Sequence, residues 1–488
     1  MILRGLLIIF LVAVTAGRCW FALECGVAPQ AAFHFLCSQK LDWAFHDGPP
    51  GMALMVAAAS QLGHSWWLLL GPFWALATSV TAWWLGTKTS NESASFMGVV
   101  ALNLLPEFNL ASQHLAPLLP ATALTLAGLA CSWSAIRIQK GGTLTWIAAA
   151  LSFATAAIFS YWVAPVAMSL AILPWIKEKF RRPPQILGSA LVLISCLFAL
   201  MPGVIWCASK QWQPFAGWTL KGLIEPNADD LWNGTLNLFW GVTPLILVMA
   251  IWTLFRSLAS AASQPPYLLA GMSGLMAALP ASLYYWRGWD ASPIALPSLA
   301  ITMAPMFQIF CKNKWLLAIA LANSVGFSAL ALAKQYEVNR IHGQASAHIL
   351  SLDKRLSPQL GDTLFMIGGD QLLASSLGYH LKDLIIPPKG HPLAYRIESQ
   401  GLVDQFSYWP SYADFIESES PPDESFTEQI AINPFIGASA FYLGTESPSQ
   451  LPQTLKSAFQ EVELIRKVGE GKHALYLYLC INYQTLPL

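Results

Sequence analysis

Charge is what this 488-residue chain has little of: 11% of its residues are Asp, Glu, Lys or Arg, against roughly 25% in a soluble protein. That deficit excludes an ordinary cytosolic enzyme. The 27 basic and 27 acidic residues cancel, so there is no bulk electrostatic case for nucleic acid, whose partners carry a basic face. No CxxC pair, no Walker loop and no GxGxxG after a strand occurs. Thiol redox, P-loop and dinucleotide chemistry are thereby removed in their usual forms. What is present is apolar, with 55% hydrophobic residues and 21 Trp. The chain reads as a membrane protein.

The charges are unevenly placed, and their distribution gives the organisation. Residues 1–334 are a succession of apolar runs joined by short loops, whereas residues 335–488 contain no run of the ~20 residues that span a bilayer. From Lys334 onward there are 11 basic and 17 acidic residues, the composition of a mildly acidic soluble domain large enough for one core. The fold class is therefore an α-helical polytopic membrane protein with a C-terminal soluble α/β domain. Eleven spans are predicted, at 2–22, 65–86, 94–111, 117–136, 143–160, 161–176, 185–206, 232–255, 266–285, 292–311 and 315–334. Lys and Arg are retained on the cytoplasmic side. An inside N-terminus places 11 basic residues of the membrane domain there, against Arg18, Lys40, Lys210, Lys221 and Arg287 outside. An odd number of spans then sends the C-terminal domain outward. Arg18 to Leu23 has no small-x-small cleavage pattern, so the first run is read as a span rather than a signal peptide.

Between the first two spans lies an outer loop, 23–64, semi-polar and rich in Pro and aromatics. It predicts two short interfacial helices, about 29–38 and 50–62, because Gly48-Pro49-Pro50 ends one element and starts the next. In the C-terminal domain, β-like runs at 363–369, 439–444 and 473–480 alternate with helix-like segments at 370–382 and 448–460. That alternation predicts a small α/β sheet.

The text QKLDWAFHDGPP at 39–50, MPGVIW at 201–206, YYWRGW at 284–289, DQFSYWP at 404–410, GASAFYL at 437–443 and LKSAFQEVELI at 455–465 follows one order and spacing. It resembles the GT-C membrane glycosyltransferases of the dolichyl-phosphate-mannose and aminoarabinose transferase type, glycosyltransferase family 39 and its relatives. Ser38, Gln39, Leu41, Asp42, Trp43, Asp47, Pro49 and Pro50 match the first outer loop of that family without a gap. The resemblance implies a sugar carried on a polyprenyl phosphate, a lipid or cell-envelope glycan as acceptor, and a place in the inner membrane with the C-terminal domain periplasmic. It also implies a surface carboxylate acting on the acceptor hydroxyl and basic groups at the departing phosphate. Three positions depart from the family pattern. Its Asp-Glu falls on Gln30 and Ala31, its second acidic position near Ala116, Pro117 and Leu118, and its Lys within Ser160, Tyr161 and Trp162. Either other carboxylates have taken over, or the chain is a catalytically silent member that binds polyprenyl-linked glycan or assists a partner. A secondary transporter is less consistent, since neither half of the span pattern repeats the other.

Among outward carboxylates, Asp47 and Glu107 are the catalytic candidates. Asp47 matches the family and precedes Pro49-Pro50; its alternative role is to cap the helix that follows. Glu107 lies within an apolar run, where a carboxylate is a functional candidate by default, with hydration near the interface as the alternative. Asp229 and Asp230 belong to a polar loop and read as solvated. For substrate, Arg287 suits two phosphate oxygens at once, or else snorkels among Tyr284, Tyr285, Trp286 and Trp289. Lys210 is a weaker version of the same idea, and His46, Asp42 and Gln30 complete the set. A divalent metal held by His34, His46 and Asp47 is the one cofactor that comes to consideration, and their spacing matches no standard motif. Cys25 and Cys37 share the outer side, where a disulfide would persist.

Overall fold

The computed structural model describes the chain except residues 1, 64–65, 138–141, 177–180, 216–227, 261–264, 287–290, 361–363, 399–403, 415, 418–430 and 485–488. It divides into two compact units: Met1–Glu24 with Leu41–Gln335, and Cys25–Lys40 with Tyr336–Leu488. The predicted outer loop is thus shared. Its first helix counts with the C-terminal unit and the remainder with the membrane unit.

Every predicted run is helical in the membrane unit. The helices are α1 (Ile2–Glu24), α3 (Gly51–Ser60), α4 (Leu70–Thr89), α5 (Glu92–Leu104), α6 (Pro106–Gln113), α7 (Leu118–Arg137), α8 (Thr143–Ala157), α9 (Val163–Ile176) and α10 (Pro183–Ser209). They continue with α11 (Ala228–Val242), α12 (Pro244–Ala259), α13 (Pro265–Trp286), α14 (Ser292–Phe310) and the first part of α15 (Lys314–Leu360). Among the described residues, seven helices are long and apolar enough to cross a membrane, or nine if each of two bent pairs is one span. The predicted runs at 143–160 and 161–176 correspond to α8 and α9, which are shorter, at 15 and 14 residues.

Two predicted spans, 94–111 and 232–255, are broken rather than straight. α5 and α6 meet at 61°, and α11 and α12 at 94°. Proline is the cause at both. Its ring excludes the residue before it from helical geometry and it lacks an N–H to donate. Leu105, before Pro106, is accordingly extended at φ −67° and ψ 133°, and Thr243, before Pro244, sits at φ 66° and ψ 135°.

In the C-terminal unit the predicted first loop helix is α2 (Pro29–Gln39). It buries Phe33, Phe35, Leu36 and Cys37, and packs on α16 (Gln371–His380). The sheet holds β1 (Phe365–Gly368), β2 (Tyr395–Arg396), β5 (Ala440–Gly444), β6 (Phe459–Val468) and β7 (Leu475–Tyr483) in the order β2-β1-β5-β7-β6. A separate two-stranded piece pairs β3 (Ile416–Glu417) with β4 (Ala431–Ile432). β2, β1 and β5 run parallel; β7 is antiparallel to β5 and to β6. Alternation sorts the side chains: Phe365, Ile367 and Tyr442 join an aromatic cluster on one face. Met366, Phe441 and Leu443 join an aliphatic one that includes Ile341, Ala345 and Ile349 of α15 and Leu373 and Leu377 of α16. The predicted helix at 448–460 is corrected to a six-residue α17 (Gln453–Ala458) that runs straight into β6. β6 is an edge strand carrying Glu461, Glu463, Arg466 and Lys467, and such charges blunt an edge while hiding its strand pattern.

His380, at the end of α16, has its Nε2 buried without a hydrogen-bond partner among the described residues. Burial, aided by the Lys382 ammonium, lowers this imidazole from its ordinary 6.5 to about 4. The unfolded chain therefore takes up a proton at His380 that the folded unit refuses, so folding stability falls as pH drops from about 6.5 toward 4. Amide exchange across α16 and β1 should accelerate over that window, and His380→Asn should flatten the dependence.

Candidate functional site

In the membrane unit, the loop with Asp42, His46 and Asp47 is tied down before its side chains can matter. Phe45 and Gly48 exchange backbone hydrogen bonds of 2.9 and 3.1 Å, a tight turn that delivers the chain to Pro49 and Pro50. The Gly51 N–H donates to the Ile158 carbonyl at 3.0 Å. A Cβ at position 51 would stand 2.7 Å from that oxygen, so the close approach of α3 to the end of α8 needs glycine. Asp42 is an anchor. Its Oδ1 accepts from the Trp43 N–H at 2.7 Å and its Oδ2 from Trp206 Nε1 of α10 at 2.8 Å.

Between this loop and α10 lies a cavity of about 480 Å³, lined by Asp42, Pro50, Leu54, Tyr161, Phe198 and Gly203 among others. Its wall is mostly apolar, with Asp42 and the Tyr161 hydroxyl as its polar points. Lys210 follows the last turn of α10, half-buried.

Asp47 is exposed and does not cap α3. The cap residue is Pro50, and no side chain bonds the helix start. Tyr284 packs edge-on against Trp162, with ring centroids 5.8 Å apart. Glu107 is not in the middle of a straight span. It occupies the first turn of α6, directly after the Pro106 break, 7% exposed. Its Oε2 accepts from Ser292 Oγ at 3.0 Å, and Ser292 opens α14. A Cβ on Gly241 of α11 would meet Ser292 Cβ at 2.5 Å and Glu107 Oε2 at 3.3 Å, so α11 presses directly on this pair. Glu107, through Ser292, thus adjoins the start of α14, where the connection from α13 ends. Arg287 and Asp290 fall within the connection between α13 and α14 and outside the described residues; Lys221 and Glu225, between α10 and α11, also lie outside the described residues. Gln30 and His34 lie on α2 in the C-terminal unit, with Gln30 Oε1 buried and lacking a hydrogen-bond partner among the described residues. Among the described residues no three His, Cys, Asp or Glu converge to hold a metal; the trio His34, His46 and Asp47 does not assemble.

One further group reads from the sequence only as a marker of topology. Arg18 of α1 is 5% exposed and sits against the α5–α6 break. Its Nη1 donates to Asn103 Oδ1 at 2.8 Å, and Nε and Nη2 donate to Asn109 Oδ1 at 3.1 and 2.8 Å. The guanidinium carbon lies 4.9 Å from the centre of the Phe108 ring. Asn103 passes the chain to Ser79 Oγ of α4 at 2.9 Å, and Asn109 to Ser328 Oγ of α15 at 3.1 Å. Asn109 also donates to the main-chain carbonyls of Asn103, in the last turn of α5, and of Leu105, at the break, at 3.1 and 3.0 Å. The network fixes the geometry of the bend that carries Glu107. Its signal in the sequence was an Arg in an apolar run and two Asn in another, since polar groups inside a membrane seek each other.

No family model matches the chain, and no curated protein does. Among solved structures, it is similar to ArnT from Cupriavidus metallidurans bound to undecaprenyl phosphate, with a TM-score of 0.60, 11% identity and 99% of each chain covered. The apo form of the same protein matches at 0.57 and 12% identity over 97% of each chain. An oligosaccharyltransferase from Archaeoglobus fulgidus matches at 0.45 and 10% identity, over 75% of this chain and 61% of that one. The chain has the GT-C fold, a polytopic helical membrane unit followed by a C-terminal domain.

Removing one member of the Arg18 network strands the rest in a place without water. Asn109→Leu should therefore destabilise the membrane unit by about 3–5 kcal/mol, the cost of leaving a buried charge uncompensated. The double variant Arg18→Leu/Asn109→Leu should recover much of that loss. Thermal inactivation of the detergent-solubilised protein checks it: additive losses would mean that the two residues do not act together.

Proposed function

We propose that this chain is an integral membrane glycosyltransferase that takes a sugar from a polyprenyl-phosphate donor and passes it to a lipid or cell-envelope glycan acceptor. It works at the outer face of the inner membrane, with the C-terminal unit on the periplasmic side. The likeness to ArnT over 99% of both chains is the observation that carries this reading. The excess of basic residues in the loops assigned to the cytosol supports the orientation.

In such a transfer the acceptor oxygen attacks the anomeric carbon, the bond from that carbon to the phosphate oxygen breaks, and the lipid phosphate leaves with the electron pair. A base takes the acceptor's proton. Asp47 is that base: exposed, on a loop braced by two backbone bonds and by Asp42. A carboxylate so placed contributes on the order of 100- to 10,000-fold. Glu107 works at the start of α14, which its bond to Ser292 holds in place. Arg287, within the α13–α14 connection, and Lys210 offset the charge that gathers on the departing phosphate. His46 contacts the sugar. The apolar cavity beside α10 takes the first isoprene units, since such cavities are apolar with a few placed polar groups.

A second reading is favoured by Gln30 and Ala31, which stand where the resemblance puts Asp-Glu. An amide and a methyl group cannot accept a proton, so the chain would hold polyprenyl-linked glycan without turning it over.

In proteoliposomes supplied with polyprenyl-phosphate-linked sugars, Asp47→Asn should lower kcat by about 100-fold or more while leaving donor KM near its wild-type value. Unchanged turnover would remove Asp47 from the site. Wild-type protein that binds undecaprenyl phosphate yet turns over none of the donors would establish the second reading.

A further inference from the structure

The C-terminal unit has a pocket of its own, about 290 Å³, at the edge of the sheet. It is bounded by β2 and the residues after it on one side, and on the other by the 404–414 segment. Trp409, Phe406, Arg396, Glu398, Ser407 and Asp414 carry its chemistry. None of them belongs to the membrane unit.

The groups are held in place by their neighbours. Asp404 caps the short 3-10 turn Gln405–Tyr408 through a 3.0 Å bond from the Phe406 N–H, and its other oxygen lies 3.1 Å from Arg396 Nε. One carboxylate therefore sets both the turn and the guanidinium. Ser411 does the same for the two acids, donating from its hydroxyl to Glu398 and from its N–H to Asp414 at 2.8 Å. Trp409 is braced by the edge-on Phe406 ring, 5.1 Å between centroids, and by the Lys40 ammonium 5.7 Å from its own. Lys40 is itself tied to the Gly390 carbonyl. Burial and the charge of Asp414 raise the Glu398 carboxyl above the usual carboxylate range, with Arg396 opposing.

An aromatic plane beside carboxylates, a guanidinium and hydroxyls recognises a particular class of molecule. A pyranose presents an apolar C–H face that packs on an indole and an equatorial rim of hydroxyls that both donate and accept. Carboxylates accept from that rim, and a guanidinium donates to it in a fixed fork. Drug-sized ligands occupy roughly 300–1,000 Å³, so this pocket, at the lower end, suits one sugar ring. Two carboxylates against one guanidinium, which Asp404 already partners, disfavour an anionic sugar. We propose that this pocket binds one uncharged pyranose unit of a glycan, as a saccharide site of the C-terminal unit that is separate from the site assigned to transfer. The inference does not rest on transfer occurring.

The test is saturation-transfer NMR on the full-length protein in detergent, with methyl α-D-glucopyranoside, methyl α-D-mannopyranoside and N-acetylglucosamine as probes and galacturonate as the anionic comparison. At least one neutral probe should receive saturation on its ring C–H protons, and galacturonate should not. Trp409→Ala should abolish the signal, Trp409→Phe should keep part of it, and Glu398→Gln and Asp414→Asn should each weaken binding tenfold or more. Asp47→Ala should leave it unchanged. Amide exchange across β5 reports that each variant is folded, and if Trp409→Ala fails there the two carboxamide variants decide the matter. The proposal is overturned if no neutral probe binds, if galacturonate binds equally well, if binding survives the Glu398 and Asp414 changes, or if Asp47→Ala abolishes it.

Discussion

Two proline breaks, at Pro106 and Pro244, set the geometry around the buried carboxylate of the membrane unit. At Pro106 an apolar helix that would otherwise cross unbroken is bent by 61°, and the bend creates a short second helix whose first turn holds a buried carboxylate. Main-chain carbonyls beside such a break lose helical partners in a region with no water to replace them. The side chain of Asn109 supplies donors there, and the same residue accepts two bonds from Arg18. A backbone defect, a buried cation and a buried acid are therefore parts of one arrangement. The guanidinium would be costly in this position without its amide partners, and the bend would be poorly determined without the guanidinium.

The second bend, at Pro244, works toward the same place. It turns α11 so that Gly241 lies against Ser292 and Glu107, closing the acid on a side where a larger residue would not fit. Elsewhere the Gly51 contact draws α3 onto the end of α8, and the loop before it carries Asp42, His46 and Asp47. Three tight approaches, each governed by a proline or a glycine, thus shape this unit around its candidate carboxylates. The C-terminal unit is built on a different principle. Its sheet is covered on both faces, one aromatic and one aliphatic, and its polar pocket lies at the edge strand, where the sheet leaves backbone and side chains accessible.

Much of this was legible in the chain itself. Runs of about 20 apolar residues report membrane helices directly, and β1, β5 and β7 announced themselves by apolar, aromatic-rich text. What was misread has common physical causes. Edge strand β6 is amphipathic and charged, so its text does not look like core. Asp47 before two prolines carries the pattern of a cap, yet whether a carboxylate reaches a helix N–H depends on the turn between them, and here the Phe45–Gly48 turn directs the chain otherwise. Arg18 looked like a marker of topology because nothing within its own helix could pair with it; its partners are 85 and 91 residues away.

Composition and hydropathy alone determined that the chain is a polytopic helical membrane protein with a C-terminal domain, because these depend on transfer free energies that each residue brings with it. Only the tertiary structure decided that Glu107 meets Ser292, that Asp42 is held by Trp206, that the first loop helix counts with the C-terminal unit, and that Trp409 shares a pocket with Arg396 and Glu398. Those juxtapositions are set by bend angles and close approaches between distant segments. They are sums over many contacts, and no local run of residues contains them.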